Sequence, residues 1–177
     1  GKSTVAKKLA EKYGLEYYSG GGALKALAIE SGYKPVERGW WESKEGLAFL
    51  QQRSRDPSFD REIDKKLMEA AKLGDVVLDS WTMPWLLKDG FKVWLECSEE
   101  VRAERLAKRD GISFRVALEA LRDKEKRTKQ IYKRLYGFDL GEDFSPFDLI
   151  LDVSLLSADE VLEALCLVVE NLLLKKG

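Results

Sequence analysis

Four residues at the start of the chain, Gly1-Lys2-Ser3-Thr4, match the second half of the pattern G-x-x-x-x-G-K-[ST]. In that loop backbone N–H groups wrap a chain of phosphates, the Lys carries charge to the outer ones, and the Ser or Thr hydroxyl holds Mg2+. By themselves the same residues read equally well as a helix N-terminus with Ser3 or Thr4 as its cap. A second feature is Asp79, which ends the apolar run Val76-Val77-Leu78. An acid at the carboxyl end of a buried strand suits a Mg2+ water shell or a substrate group opposite Ser3. The plainer reading is an Asp capping the next turn. A third is the arginine supply. Arg105 and Arg109 lie one helical turn apart, so they would present a paired cation on one face. Arg122, Arg127 and Arg134, interleaved with Lys124, Lys126, Lys129 and Lys133, follow beyond Gly111. Phosphoryl transfer uses such cations to screen charge on the transferred group, whereas a charged helix is commonly just a solvated face. Two basic helices around a Gly turn suggest a lid over phosphates. Lastly, the run Ser19-Gly20-Gly21-Gly22, followed by Lys25, would seat a second phosphate or serve as a flexible connector. Trp40, Trp41, Trp81 and Trp85 offer flat faces for a base, or belong to the core.

The elements that must position these residues alternate between helix and strand. Val5, Leu9 and Tyr13 give a helical stripe after the first residues, and Gly14 stops it. A short strand follows at Glu16-Tyr17-Tyr18, then a glycine turn over 19–22 and a helix from Ala23 to about Glu30. Segment 33–60 is polar and aromatic, with a helix near Ser43 to Arg53. Asp60 to Leu73 is amphipathic, with Ile63, Leu67, Ala70 and Ala71 facing inward. Strands are expected at 76–79, 91–95 and 149–152. Helices are expected after Ser98 to about Arg109, from Ser113 to Tyr136, and from Ala158 to Lys175, with Ser157 as the cap. This order predicts an α/β domain with a parallel sheet covered on both faces. One further strand upstream of Gly1, feeding the glycine loop, makes five strands. Ligands then gather at the carboxyl ends of the strands.

The composition fits one folded domain. The chain has 177 residues, 45% hydrophobic and 34% charged, with 30 basic and 31 acidic side chains. That length supports a core of its own. The near balance of charge argues against a general nucleic-acid binder, and no apolar run reaches membrane-spanning length. Cys97 and Cys166 are two separated thiols in apolar surroundings, as expected of a cytoplasmic protein. There is no His, so any chemistry must run on Lys, Arg, Asp and a metal. Few Asn and Gln beside many Lys, Arg and Glu suggest a thermophilic source.

With these features placed, the chain resembles the nucleoside monophosphate kinases, and more narrowly the archaeal cytidylate kinases. The resemblance rests on Arg109-Asp110-Gly111-Ile112-Ser113, on Tyr132-Lys133-Arg134-Leu135-Tyr136-Gly137-Phe138-Asp139, and on Ser145-Pro146-Phe147-Asp148-Leu149-Ile150. It spans essentially the whole chain. It implies a three-layer P-loop fold with a core over 1–32, 74–110 and 145–177, a monophosphate-binding insert over about 33–73, and a lid over about 110–136. ATP would bind at Gly1, Lys2, Ser3 and Thr4, with Mg2+ on Ser3 and Asp79. CMP, with dCMP as a further acceptor, would meet Ser19, Lys25, Arg61, Asp64, Asp79 and Trp81. Lys2, Arg105, Arg109, Arg122 and Arg127 would act on the transferred phosphate. The resemblance implies a cytoplasmic monomer that takes small nucleotides and binds neither nucleic acid nor membrane. Two positions depart from the family: Lys25 stands where an Arg is usual, and Trp81 replaces a phosphate-binding Arg. Another small P-loop kinase, acting on AMP, UMP or a small-molecule hydroxyl, remains an alternative. So do a nucleotide-binding adaptor and a non-catalytic domain.

Overall fold

A computed structural model describes residues 1–36 and 39–174. Eight helices and four short strands alternate along them. Helix α1 (Lys2–Tyr13) buries Val5 and Ala10 and ends at Gly14, whose left-handed backbone (φ 65°) lets its N–H return to the carbonyls of Ala10 and Glu11. Strand β1 (Glu16–Ser19) leads directly into α2 (Gly20–Glu30). The expected glycine turn over 19–22 is therefore the first turn of a helix. The Ser19 hydroxyl accepts from the Gly22 N–H at 3.0 Å, which supplies the cap that glycines there would otherwise lack.

A single 3-10 turn, Trp40–Glu42, precedes α3 (Lys44–Arg55). The two approach so closely that a β-carbon on Gly46 would collide with the Trp40 carbonyl. Helix α4 (Ser58–Lys72) turns Ile63, Leu67 and Ala70 inward as the periodicity required. Gly74 and Asp75, both at positive φ, then swing the chain into β2 (Val76–Asp79). A short helix that the sequence reading missed, α5 (Met83–Leu86), follows, with Ser80 accepting from the N–H groups of Thr82 and Met83. Ser80, not Asp79, thus caps the turn after β2.

Strand β3 (Val93–Glu96), α6 (Glu99–Asp110), α7 (Phe114–Tyr136), β4 (Leu149–Asp152) and α8 (Ala158–Val169) complete the order. Ser157 and Glu160 form a reciprocal capping box at the start of α8. The helix closes in a wider π turn over Glu170–Leu174. Its expected end at Lys175 lies outside the described residues.

All strand pairing is parallel, in two pairs: β1 with β2 (Glu16 opposite Val76) and β3 with β4 (Val93 opposite Leu149). Among the described residues the fold is therefore a mixed, mostly helical α/β domain with two small parallel sheets. Each pair has its own core. Leu24, Ala28, Phe49, Ile63 and Leu67 pack beneath the first, and Val5, Val153, Val161 and Leu165 beneath the second. Phe49, with no exposed surface, contributes about 1.5–3 kcal/mol by burial alone. A third cluster, Leu50, Ile131, Tyr132, Phe138 and Leu140, ties α7 to α3. None of the described helices is long and apolar enough to cross a membrane.

Candidate functional site

Strands β1 and β2 run in register, so Ser19 and Asp79 sit opposite each other at their carboxyl ends. A cavity of about 610 Å3 opens there. It is bounded by the first turns of α1 and α2, by α3 and α4, and by α7. The Lys2 ammonium reaches the Asp79 carboxylate, and the Tyr17 hydroxyl donates to its second oxygen at 3.0 Å. Asp79 is only 3% exposed. Burial works against its charged form. The Lys2 ammonium and the hydroxyls of Ser3 and Tyr17 outweigh burial, and the carboxyl is held below its ordinary value.

A second polar group occupies another wall. Arg53 of α3 grips Asp60 of α4 through Nε at 3.0 Å and Nη2 at 2.5 Å, with both side chains buried. Tyr132 lies beside this pair, and burial pushes its hydroxyl far above the ordinary value. Asp64, one helical turn beyond Asp60, accepts from Thr82 at 2.5 Å and from Tyr136 at 2.7 Å. Burial dominates over those two donors and raises its carboxyl. On the rim, Glu42 pairs with Arg109 of α6 at 3.3 Å and with Lys124 of α7 at 3.5 Å. Burial lowers the Lys124 ammonium in spite of Glu42. Six cations line the cavity against three carboxylates: Lys2, Lys7, Lys25, Arg53, Arg109 and Lys124 against Asp60, Asp64 and Asp79. The excess positive charge suits a polyanion.

The profile of the cytidylate kinase-like family matches residues 1–155. The chain belongs to the cytidylate kinase-like family. Among curated relatives, the cytidylate kinase of Pyrococcus horikoshii is 36% identical, covering 91% of this chain and 78% of its own. That of Methanocaldococcus jannaschii is 34% identical over 97% and 93%, and that of Aeropyrum pernix 36% over 90% and 87%. A solved structure of an uncharacterized protein from Eubacterium ventriosum superimposes with TM-score 0.57 over 96% of this chain and 91% of its own. At 16% identity that likeness concerns the fold alone.

Within this family member, the residues singled out from sequence divide into two sets. Lys2, Ser3, Ser19, Lys25, Asp64, Asp79, Trp81 and Arg109 all line the cavity. Gly1, Thr4, Arg61, Arg105, Arg122 and Arg127 do not line it. Arg105 and Arg109 do not act as one paired cation. Arg105 turns to the carbonyls of Val153, Ser154 and Leu156 at 3.0–3.2 Å, while Arg109 faces Glu42 and Asp110. Arg122 is held by Glu99 and Arg127 by Asp123, and Arg61 points to solvent. Of the tryptophans, Trp40 is buried and Trp85 stacks on Phe138 at 4.1 Å, while Trp41 and Trp81 reach the cavity. Arg53, Asp60 and Tyr132 were missed. Their only sequence signal was polarity at positions that a helical stripe would assign to the buried face.

Ser3 and Asp79 both offer hard oxygens to the same space. A Mg2+ ion fits such a pair, since it takes one or two protein oxygens and keeps several waters. The Asp79 environment also predicts an acid limb of stability. Its folded carboxyl titrates below the unfolded one, so it contributes stability above the unfolded value of about 3.9. That contribution is lost as pH falls through the lower folded value. Urea unfolding between pH 5 and 2 should show this slope, and Asp79→Asn should flatten it.

Proposed function

We propose that this protein is an ATP-dependent cytidylate kinase, moving the γ-phosphoryl group of ATP to CMP, or to dCMP, and releasing ADP. The observation that carries this reading is the convergence of Lys2, Ser3, Asp79 and Arg109 on one cation-rich cavity. Membership of the cytidylate kinase-like family and the named activity of the archaeal relatives support it.

In this reading β1–β2 and β3–β4 belong to one parallel P-loop sheet. The segment 33–73 is the monophosphate-binding insert, and α7 with the turn that leads into it, over about 110–136, is the lid. The first turn of α1 presents Gly1 to Thr4 to the ATP phosphates, and its N-terminal dipole adds to the charge of Lys2. Lys2 leaves Asp79 for the phosphate in transit. Ser3 and Asp79 would hold Mg2+, which neutralises charge on the β- and γ-phosphates when bound. Ser19, the α2 N-terminus and Lys25 face the acceptor phosphate, and Arg109 and Lys124 screen the transferred group from the lid side. The acceptor is already an anionic oxygen, so no general base is needed. Positioning and charge screening carry the rate. Arg122 ties α7 to α6 through Glu99, and Arg127 pairs with Asp123 within α7.

A coupled ADP-release assay with ATP–Mg2+ and each of CMP, dCMP, UMP, AMP and GMP tests this. CMP-dependent turnover is the expected result. Turnover with another monophosphate alone would reassign the acceptor. Nucleotide binding without turnover would favour an adaptor.

A further inference from the structure

Glu42 stands behind the cavity wall and does not line it. It closes the 3-10 turn Trp40–Glu42 of the insert, and its side chain is only 10% exposed. Its two oxygens serve two different helices. Oε2 accepts from Arg109 Nη2 of α6 at 3.3 Å, and Oε1 from the Lys124 ammonium of α7 at 3.5 Å. Both cations line the cavity, and in the kinase reading both screen the transferred group. Glu42 thus occupies them as a phosphate would, with one anionic oxygen for each. The contacts are long beside the about 2.7–2.9 Å of a tight charge-assisted bond, so the carboxylate holds its partners loosely. The surrounding packing keeps both cations in place when Glu42 lets go. Arg109 is also bound to Asp110 at 2.7 Å. Lys124 lies 5.4 Å over the Trp41 ring, a cation–π contact that needs no carboxylate. The turn itself is pressed against the end of α6: a β-carbon on Gly39 (φ 59°) would come within 2.9 Å of the Asp110 carboxylate. Insert and lid meet at this turn, and the ion pairs of Glu42 are the part of the joint that a ligand's charge can replace.

We infer that Glu42 is a latch that makes phosphoryl transfer conditional on the acceptor; this rests on the kinase reading above. With ATP alone bound, Glu42 keeps Arg109 and Lys124, the transferred group goes unscreened, and water gains no help in attacking it. The acceptor brings a phosphate of nearly two negative charges to the same wall. It outcompetes the single charge of Glu42 and releases both cations to the reaction. Without the latch the same screening serves water: its oxygen bonds to the γ phosphorus, the bond to the ADP oxygen breaks, and ADP, phosphate and a proton leave. Glu42 is a positioning residue, acting through the two cations it holds.

The test measures ATP hydrolysis without acceptor, kcat and KM for CMP, and calorimetric binding of inorganic tripolyphosphate, in the wild type, Glu42→Gln, Glu42→Asp and Glu45→Gln. Glu42→Asp keeps the charge and shortens its reach by one methylene. It stays informative if Glu42→Gln, which leaves Lys124 without its carboxylate, does not fold. Glu45→Gln is the charge control, since that carboxylate accepts from the Lys34 N–H at 2.9 Å and not from either cation. In Glu42→Gln, acceptor-free hydrolysis should rise and KM for CMP fall by about threefold to tenfold, the range of one or two loosely held ion pairs. The kcat with CMP should stay within about twofold of wild type, because the latch is already open in the complex with both nucleotides. Tripolyphosphate should bind more tightly by the same factor. Glu42→Asp should move each quantity the same way by less, and Glu45→Gln should move none. Hydrolysis, KM and tripolyphosphate binding that stay at wild-type values in both Glu42 variants, or rates that fall together with the melting temperature, would reduce Glu42 to a structural tie and overturn the inference, even with CMP confirmed as the substrate. A wild type that turns over no monophosphate, while tripolyphosphate binding tightens in the Glu42 variants alone, would sink the kinase reading and leave Glu42 standing as the gate to both cations.

Discussion

Replacing Lys2 with Ala should lower kcat for CMP by about a hundredfold to a thousandfold, the loss typical of removing one preorganised charge from a transition state, and leave the fold intact. The structure explains why the two effects separate. Helix α1 is anchored by Val5 and Ala10 and stopped by Gly14. None of these contacts involves the Lys2 side chain, which is 43% exposed. What it does touch is the Asp79 carboxylate. Without it, Asp79 keeps Tyr17 and Ser3 but loses its cation, and its titration moves back up. The stability cost should be modest, about 1 kcal/mol, because water already reaches the lysine end of the pair. Circular dichroism and urea unfolding check the fold, and the coupled assay checks the rate. Lys7, which lies 5.6 Å over the Tyr17 ring on the same cavity wall, is the control: its removal should cost far less. Full turnover in Lys2→Ala would remove the phosphate-loop reading of Gly1 to Thr4 altogether.

How much of this site was legible in the sequence depends on the reach of each signal. Local patterns worked. The stripe of α4, the cap at Ser157 and the strand ending in Asp79 are encoded within a few residues, and the structure has them where the pattern puts them. The glycine run failed for a local reason too: Ser19 caps a helix that glycine content alone argues against. The arginines failed because periodicity fixes the face of a helix but not what that face meets. Arg105 and Arg109 are one turn apart, yet the loop after β4 claims the first and the 3-10 turn before α3 claims the second. Arg53 and Asp60 carried only a faint signal, a charge on the apolar stripe of each helix. An ion pair between two helices is written in no spacing, so nothing linked the two. Only the packing of α3 against α4 and α7 brings them to a cavity wall.

That division of the arginines leads to the second large effect. Arg109→Ala should reduce kcat by about a hundredfold while KM for ATP changes little, the pattern of an interaction made only in the transition state. The side chain is 58% exposed and held by acids, at 2.7 Å to Asp110 and 3.3 Å to Glu42. Such contacts are exchangeable for a phosphate oxygen at little cost. Arg109→Lys should rescue poorly, because an ammonium lacks the planar fork that grips phosphate through two bonds. Arg105→Ala is the contrasting case. Its guanidinium is committed to three backbone carbonyls between β4 and α8. Losing them should cost about 2 kcal/mol and lower Tm by roughly 4–8 °C, with kcat per folded molecule near wild type. A thermal melt and a steady-state titration on both variants distinguish the roles. If Arg105→Ala melts normally but turns over a hundredfold more slowly, the hairpin must rearrange in the working enzyme to bring that arginine in. If Arg109→Ala raises KM for ATP in proportion to its loss of kcat/KM, with kcat unchanged, the residue anchors the ground state, and Lys124 becomes the cation to test for the transition state.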